Sequence, residues 1–240
     1  MSHAIPGRRP VAEALRARRR LVEVVMDERT QGELGELTAG ARDQGVRVRI
    51  AGREELDLLA HGVVHQGVVG VQRDFPYVTL DAARSTDLVV VLDGVTDPQN
   101  LGAIARSAEA AGAGCLVLPR RRSATVGPAA EKAAAGAFGW LRVAVVPNVA
   151  GALVDLAELG FWSIGLAGGG KDTIWSSTLL EGRVALVVGA EGSGLSRLVR
   201  ERVDGLASIP MAGRVDSINA SAASAVALFE IVRRRTASGP

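Results

Sequence analysis

Three short stretches of this chain carry polar residues at spacings that suggest chemistry. The first runs Leu92-Asp-Gly-Val-Thr-Asp-Pro-Gln-Asn-Leu-Gly-Ala-Ile-Ala-Arg106, from an apolar segment through a polar turn into helix-forming residues. Asp97-Pro98 reads as the turn, and Asn100 stands at the expected helix start, where capping is its ordinary role. Arg106 is an isolated cation in an otherwise small, apolar helix, suited to anchoring an ion pair or holding an anion. The second stretch, Val187-Val-Gly-Ala-Glu-Gly-Ser-Gly-Leu-Ser196, sets Glu191 among Gly189, Gly192 and Gly194. Glycines let backbone approach a flat ligand closely, but Glu191 would repel a phosphate. A cationic or hydroxyl-bearing ligand fits better. The third, Ser208-Ile-Pro-Met-Ala-Gly-Arg-Val-Asp-Ser-Ile-Asn-Ala-Ser-Ala-Ala223, places Ser217 and Asn219 at the start of a helix. Its first residues are so small that something must pack closely on it.

Two glycine-rich patterns point elsewhere and are set aside. Gly165-Leu-Ala-Gly-Gly-Gly-Lys-Asp172 nearly spells a phosphate-binding loop, but Asp172 occupies the position where Ser or Thr would hold magnesium. It reads as a loop after a strand. Gly189–Gly194 comes late in the chain and has the wrong spacing for a dinucleotide fingerprint. Cys115 is the only cysteine, and His3, His61 and His65 are scattered, so neither a disulfide nor a metal cluster is expected.

The positive charge is unusual in kind. Of 28 basic residues only Lys132 and Lys171 are lysines, and residues 1–20 hold six arginines against one glutamate. Arginine suits bidentate phosphate contact and stacking on bases. The net charge of +2 is too weak to argue for nucleic acid alone, and the runs Arg120–Arg122 and Arg233–Arg235 read equally as solvated surface. No apolar run reaches the roughly 18–20 residues a bilayer requires, and a cytoplasmic location is expected.

The elements that must position these residues form two groups. Residues 1–75 read as a small α/β unit, with helices over 11–18, 33–44 and 54–60 and strands over 21–26, 46–50 and 67–72. Residues 76–87 lose periodicity and read as a linker. Residues 88–240 alternate strand and helix in the manner of a parallel sheet. Strands are expected over 88–92, 115–118, 142–146, 161–166, 184–188 and 206–209. Helices are expected over 101–111, 128–137, 149–159, 197–202 and 220–235, the last turning Val226, Phe229, Ile231 and Val232 inward. Ligands of such sheets bind beyond the carboxyl ends of the strands, where all three stretches fall.

Taken together, "DPQNLGAIARSAEAAGA", "VVGAEGSGLS" and "IPMAGRVDSINASAA" closely resemble, in order and spacing, the three motifs of the SpoU (TrmH) family of RNA ribose 2′-O-methyltransferases in the SPOUT superfamily. "HQGVVGV" at 65–71 fits that family's N-terminal RNA-binding domain, so the likeness covers essentially the whole chain. The resemblance implies an α/β fold: a C-terminal parallel-sheet SPOUT domain with a deep trefoil knot, preceded by a small α/β RNA-binding domain. It implies S-adenosyl-L-methionine (SAM) bound bent in the knot by backbone groups, which by position fall at Gly189, Ile209 and Ile218 with Met211 nearby. Ile218 stands where members often have Leu.

By the same resemblance the functional positions are Asn100, Arg106, Glu191, Ser217 and Asn219. A guanidinium keeps its proton throughout the range in which proteins work, so Arg106 is expected to hold a phosphate and stabilise developing alkoxide charge rather than act as a plain base. Asn100, Ser217 and Asn219 are expected to fix geometry, and Glu191 either organises its loop or contacts the nucleoside. The family works as a homodimer with active sites near the subunit interface. Arg8, Arg9, Arg18, Arg19 and Arg20 are the candidate phosphate contacts; Arg9 stands where members often carry a histidine. The dedicated N-terminal unit points to the branch acting on a guanosine of large-subunit (23S) rRNA. A tRNA enzyme, an antibiotic-resistance rRNA enzyme and a non-catalytic SAM-binding RNA-binding protein are the alternatives.

Overall fold

The computed structural model describes residues 3–30, 34–168 and 172–237. Its first sheet is built from β1 (His3–Pro6), β2 (Leu21–Asp27), β3 (Arg47–Ala51) and β4 (Val68–Gln72), in the order β1-β4-β2-β3. The β4 strand is antiparallel to β1 and β2, whereas β2 and β3 run parallel. The helices α1 (Arg8–Arg16), α2 (Gly35–Asp43) and α3 (Arg53–Leu59) connect them. Glu33, the expected start of the second helix, lies outside the described residues. No sequence pattern announces β1, whose four residues are all buried by pairing with β4.

The second sheet contains β5 (Leu88–Asp93), β6 (Cys115–Pro119), β7 (Arg142–Val146), β8 (Trp162–Leu166), β9 (Asp172–Thr173), β10 (Val184–Gly189) and β11 (Gly205–Ser208). All pairs are parallel, in the order β7-β6-β5-β10-β8-β11-β9. Its helices are α4 (Pro98–Ala110), α5 (Pro128–Ala134), α6 (Val149–Glu158), α7 (Arg197–Arg202) and α8 (Ala220–Ala237). Alternate β5 residues serve opposite faces, as the period of a strand requires. Leu88, Val90 and Leu92 join the core beneath α4, α5 and α8, while Val89 and Val91 join that beneath α6 and α7.

Two helices depart from expectation. The α5 helix stops at Ala134 because Ala135 and Gly136 take left-handed backbone, with φ of 51° and 103°. In α8 the inward stripe is Ser224, Ala227, Leu228 and Ile231, leaving Val226 36% and Phe229 50% exposed. Steps of three and four residues define the buried face, and 226 and 229 fall outside it. Ile231 is inward as expected, and Val232 packs at the margin.

Residues 76–87 are packed rather than loose. Val78 bridges the edge of β7, its N–H donating to the Val143 carbonyl at 2.9 Å, and a short 3-10 helix over Leu80–Ser85 buries Ala83.

A buried polar cluster joins the two sheets' units. Glu131 of α5, fully buried, accepts from both terminal nitrogens of Arg19 at 2.7 and 3.1 Å and lies 2.7 Å from His3 Nε2. Arg19 also donates from Nε to Gln72 Oε1 at 3.2 Å and lies over the Phe75 ring. The expectation that Arg19 contacts RNA is therefore corrected. Its fork is spent inside the protein, where removing it from a buried carboxylate would leave a bare charge.

Candidate active site

The loops after β5, β10 and β11 meet beside the position where β5 and β10 adjoin and the strand order departs to either side. That is where parallel sheets open a crevice for ligands. Asp97 starts α4, accepting from the backbone N–H groups of Gln99 and Asn100 at 3.0 and 3.2 Å. The cap is therefore Asp97, not Asn100. Because the helix start is already satisfied, the Asn100 side chain is free for another task.

That task is visible in its partners. Asn100 Nδ2 donates to Glu191 Oε2 at 3.1 Å, and Asn219 Nδ2 donates to Asn100 Oδ1 at 3.0 Å and lies 3.3 Å from the same Glu191 oxygen. Asn219 also caps α8, its Oδ1 accepting from the Ser221 N–H at 2.8 Å. One residue from each of the three stretches thus enters a single hydrogen-bonded cluster. Glu191 Oε2 is the acceptor shared by residues of the other two stretches.

The loop bearing Glu191 is folded tightly on itself. Ala190 and Gly194 exchange backbone hydrogen bonds at 3.1 and 2.8 Å, and Ser196 N–H donates to Asp93 Oδ2 at 2.6 Å. Gly189 has no room for a Cβ, which would sit 2.2 Å from the Gly194 carbonyl carbon. Asp93, at the end of β5, is a supporting residue that the sequence reading missed; a carboxylate closing an apolar strand was the available signal.

Beside the cluster lies a cavity of about 350 Å³. Gly189, Ile209, Met211 and Ile218 line it, as do Ser217 and Asn219. Leu166, Ala167 and Gly168 complete the wall, although they had been read only as part of a false phosphate loop; Gly169, Gly170 and Lys171 of that stretch lie outside the described residues. The walls are mixed, with polar and apolar surface in similar share. Their charged side chains are Glu191 and Asp216, with no arginine or lysine among the described lining residues. A slot of mixed polarity whose only charged side chains are acidic suits a flat, cationic ligand and disfavours a polyphosphate. SAM, a sulfonium carrying a purine, fits that donor set.

The other candidates lie apart from the cluster. Arg106 is exposed, and among the described residues its guanidinium makes no hydrogen bond or ion pair. Arg9, Arg18 and Arg20 are exposed, and Arg8 is half-buried with Nε donating to the Gln66 carbonyl at 3.1 Å. Arg120–Arg122 are exposed on the loop after β6, which hydrogen-bonds the β5 loop through Ala124 N–H and the Val95 carbonyl at 2.8 Å. The 233–235 run is largely spent internally. Arg233 and Arg234 pair with Glu230 at 2.7 and 2.8 Å, holding that carboxyl down to about 2, chiefly through the Arg233 hydrogen bond. Arg235 donates to the Asp87 and Gly182 carbonyls at 2.9 and 2.8 Å.

The profile of the SpoU rRNA Methylase family matches residues 87–229, more than half of the chain. The chain belongs to the SpoU rRNA methylase family. Residues 4–78 match a second profile, described as RNA 2′-O ribose methyltransferase substrate binding. Among relatives, the chain is 41% identical to the 23S rRNA (guanosine-2′-O-)-methyltransferase RlmB of Salmonella typhimurium, with 98% of this chain and 100% of that protein covered. It is 42% identical to the 23S rRNA (guanosine-2′-O-)-methyltransferase RlmB of Photorhabdus laumondii, with 98% of this chain and 100% of that protein covered. Among solved structures, the SpoU methyltransferase AviRb from Streptomyces viridochromogenes, in complex with AdoMet, superposes with a TM-score of 0.84 at 26% identity, covering 98% of this chain and 91% of that one. The TrmH/SpoU tRNA modifying enzyme of A. aeolicus has a TM-score of 0.58 at 27% identity, covering 67% of this chain and 81% of that one. As a SpoU protein this chain is a SAM-dependent RNA methyltransferase. No helix among its described residues is long and apolar enough to cross a membrane.

Proposed function

We propose that this SpoU protein transfers the methyl group of SAM to the ribose 2′-hydroxyl of a guanosine in 23S rRNA. The observation that carries the reading is the Asn100–Glu191–Asn219 cluster at the rim of an acidic cavity. End-to-end likeness to RlmB proteins supports the substrate, whereas the likeness to a tRNA modifying enzyme covers 67% of the chain.

Bound in the cavity, SAM supplies an electrophilic methyl on a sulfonium. The protein's task is then to hold a poorly acidic hydroxyl in line and to favour loss of its proton. Gly189, Ile209, Met211 and Ile218 would hold the cofactor. Asn100, Glu191 and Asn219 fix the loops that frame it, and Ser217 faces the same cavity. Arg106 holds the phosphate beside the reacting ribose, its fixed charge stabilising the alkoxide as it develops.

In this reading residues 1–75 bind RNA, 76–87 join, and 88–240 carry SAM and the chemistry. Arg8, Arg9, Arg18 and Arg20 contribute phosphate contacts. The trefoil knot follows from the family fold. A second copy docks on the α8 face bearing Val226 and Phe229, giving a homodimer; two exposed apolar side chains on the helix that Asn219 caps support this.

The test is transfer from labelled SAM to total rRNA and, separately, tRNA from cells lacking the protein, followed by mapping of 2′-O-methyl positions. One labelled guanosine in 23S rRNA is expected. Label confined to tRNA would overturn the substrate, and SAM binding without transfer to either would favour a binding protein.

A further inference from the structure

A second cavity opens at one end of the first sheet, lined by none of the residues of the first. The segments following β1, β2 and β3 and the loop preceding β4 enclose about 500 Å³. That is far more than a bare phosphate fills and lies within the range of small-molecule sites, about 300–1,000 Å³.

Its wall holds Arg8, Arg29 and Arg53 against Asp27 and Asp57. The two carboxylates are already engaged. Asp27 Oδ1 accepts from the backbone N–H of Arg29 at 3.0 Å. Asp57 Oδ1 lies 3.0 Å from His65 Nε2, while His65 Nδ1 accepts from the Gly67 N–H at 3.1 Å. That second bond requires an unprotonated Nδ1, so the ring hydrogen sits on Nε2 and points at Asp57. The arginines are less committed. Arg29 is exposed, and its guanidinium makes no hydrogen bond or ion pair among the described residues. Arg53 Nε is 3.9 Å from Asp57, beyond hydrogen-bond reach, and its side chain is 71% exposed.

The loop 61–67 is held in costly backbone. His61 and Gln66 take left-handed φ of 51° and 54°, a conformation non-glycine residues avoid. Gln66 is clamped from both units, its carbonyl by Arg8 Nε at 3.1 Å and its Oε1 by Lys132 Nζ at 3.2 Å. Gln66 lines the cavity beside Val63 and the exposed Val64, and its Nε2 makes no hydrogen bond among the described residues.

Position adds a further argument. Lys132 belongs to α5, whose opposite face packs on Gly102, two residues beyond Asn100. The buried Arg19–Glu131 pair lies next along α5, so the cavity is held in fixed relation to the catalytic helix.

We propose that this cavity binds one unstacked nucleotide of the RNA substrate, its phosphate held by Arg29 and Arg53 and its base edge read by Gln66. This rests on the RNA-methylation reading above. Splayed single-stranded bases are the usual targets of sequence-specific RNA recognition, and amide side chains read their edges.

The test compares wild type with Arg29→Ala/Arg53→Ala and Arg29→Lys/Arg53→Lys, using an in vitro transcribed 23S rRNA fragment and, separately, GMP. The alanine pair is expected to weaken RNA affinity about tenfold near physiological salt and to make the slope of log affinity against log salt shallower by about 1.4, two single-strand contacts' worth. The lysine pair restores the slope. In Gln66→Ala, photo-crosslinking of thio-substituted RNA to residues 61–67 falls. SAM affinity, measured calorimetrically, reports folding in each variant. Unchanged RNA affinity and slope in the alanine pair overturn the proposal, as does GMP binding that is lost in that pair while RNA affinity stays. If wild type binds RNA but transfers no methyl, the methylation reading fails and the slope comparison still decides the cavity's role.

Discussion

Asn100 and Asn219 are 119 residues apart in sequence and joined by one hydrogen bond, Nδ2 of Asn219 to Oδ1 of Asn100 at 3.0 Å, with Glu191 Oε2 accepting from both amides. Each amide therefore has its orientation fixed by the other two members. A carboxylate that accepts two N–H groups is worth more than its parts, because charged hydrogen bonds contribute about 1.5–3 kcal/mol each. The cluster ties the β5, β10 and β11 loops at the mouth of the cavity.

Glu191→Ala should accordingly lower kcat about 10- to 100-fold, corresponding to one such bond, with a lower Tm as well, the drop limited because water replaces the bonds of an exposed carboxylate. Single-turnover methylation with a melting curve on the same sample checks this. Unaltered turnover would mean the cluster is ornamental to the reaction.

Arg106 tests the need for a guanidinium fork. Arg106→Ala should cost about 10²–10³ in kcat, the usual loss when a donor to developing negative charge is removed. Arg106→Lys should recover only a small part, since a point charge cannot make the same bidentate contact. Near-complete recovery with lysine would refute the fork, though not the charge.

Glu131 makes stability depend on acid. Burial alone would raise its pKa, but the His3 hydrogen bond and the charge and hydrogen bonds of Arg19 outweigh that, leaving it lowered. A lowered folded pKa means the stabilisation is complete above the unfolded carboxylate value of about 4.3 and is lost as pH falls through the folded value. Glu131→Gln should flatten the pH dependence of Tm below about pH 4.5. At neutral pH it should destabilise by about 3–5 kcal/mol, because Arg19 keeps a buried charge without its partner. Denaturant melts across pH 3–7 would show a steeper wild-type limb, and parallel limbs would rule this out.

Gly102 is where α5 approaches α4. A Cβ there would stand 2.4 Å from the Ala130 carbonyl oxygen and 2.6 Å from Ala133 Cβ. On helix propensity Gly102→Ala would gain up to about 1 kcal/mol, whereas overpacking costs about 1–3 kcal/mol. Both clashing atoms belong to a neighbouring helix with little freedom, so the net effect should be a loss, with reduced turnover as α4 is displaced. A rise in Tm would show that the contact gives way.

Local pattern made much of the architecture legible. The β-branched runs at 88–92 and 184–188 announced buried parallel strands, since both faces of such strands are covered and the apolar run is continuous. Motif order placed Asn100, Glu191 and Asn219 in loops after strands. What pattern could not show was partnership: the periodicity of α8 allowed Val226 and Phe229 inside as readily as Ala227 and Leu228, and only packing against α4 and the sheet chose between them.

The sequence by itself determined the family, the parallel-sheet alternation and the identities of the polar residues in the three stretches, because these rest on residue type and short-range spacing. Tertiary structure alone decided what those residues touch. It gave the α4 cap to Asp97 and so freed Asn100 for Glu191 and Asn219; it buried Arg19 against Glu131, 112 residues away, where a run of arginines suggests phosphate contacts. Hydrogen bonds and desolvation act between atoms that folding brings within about 3 Å, and no spacing along a chain encodes that distance directly.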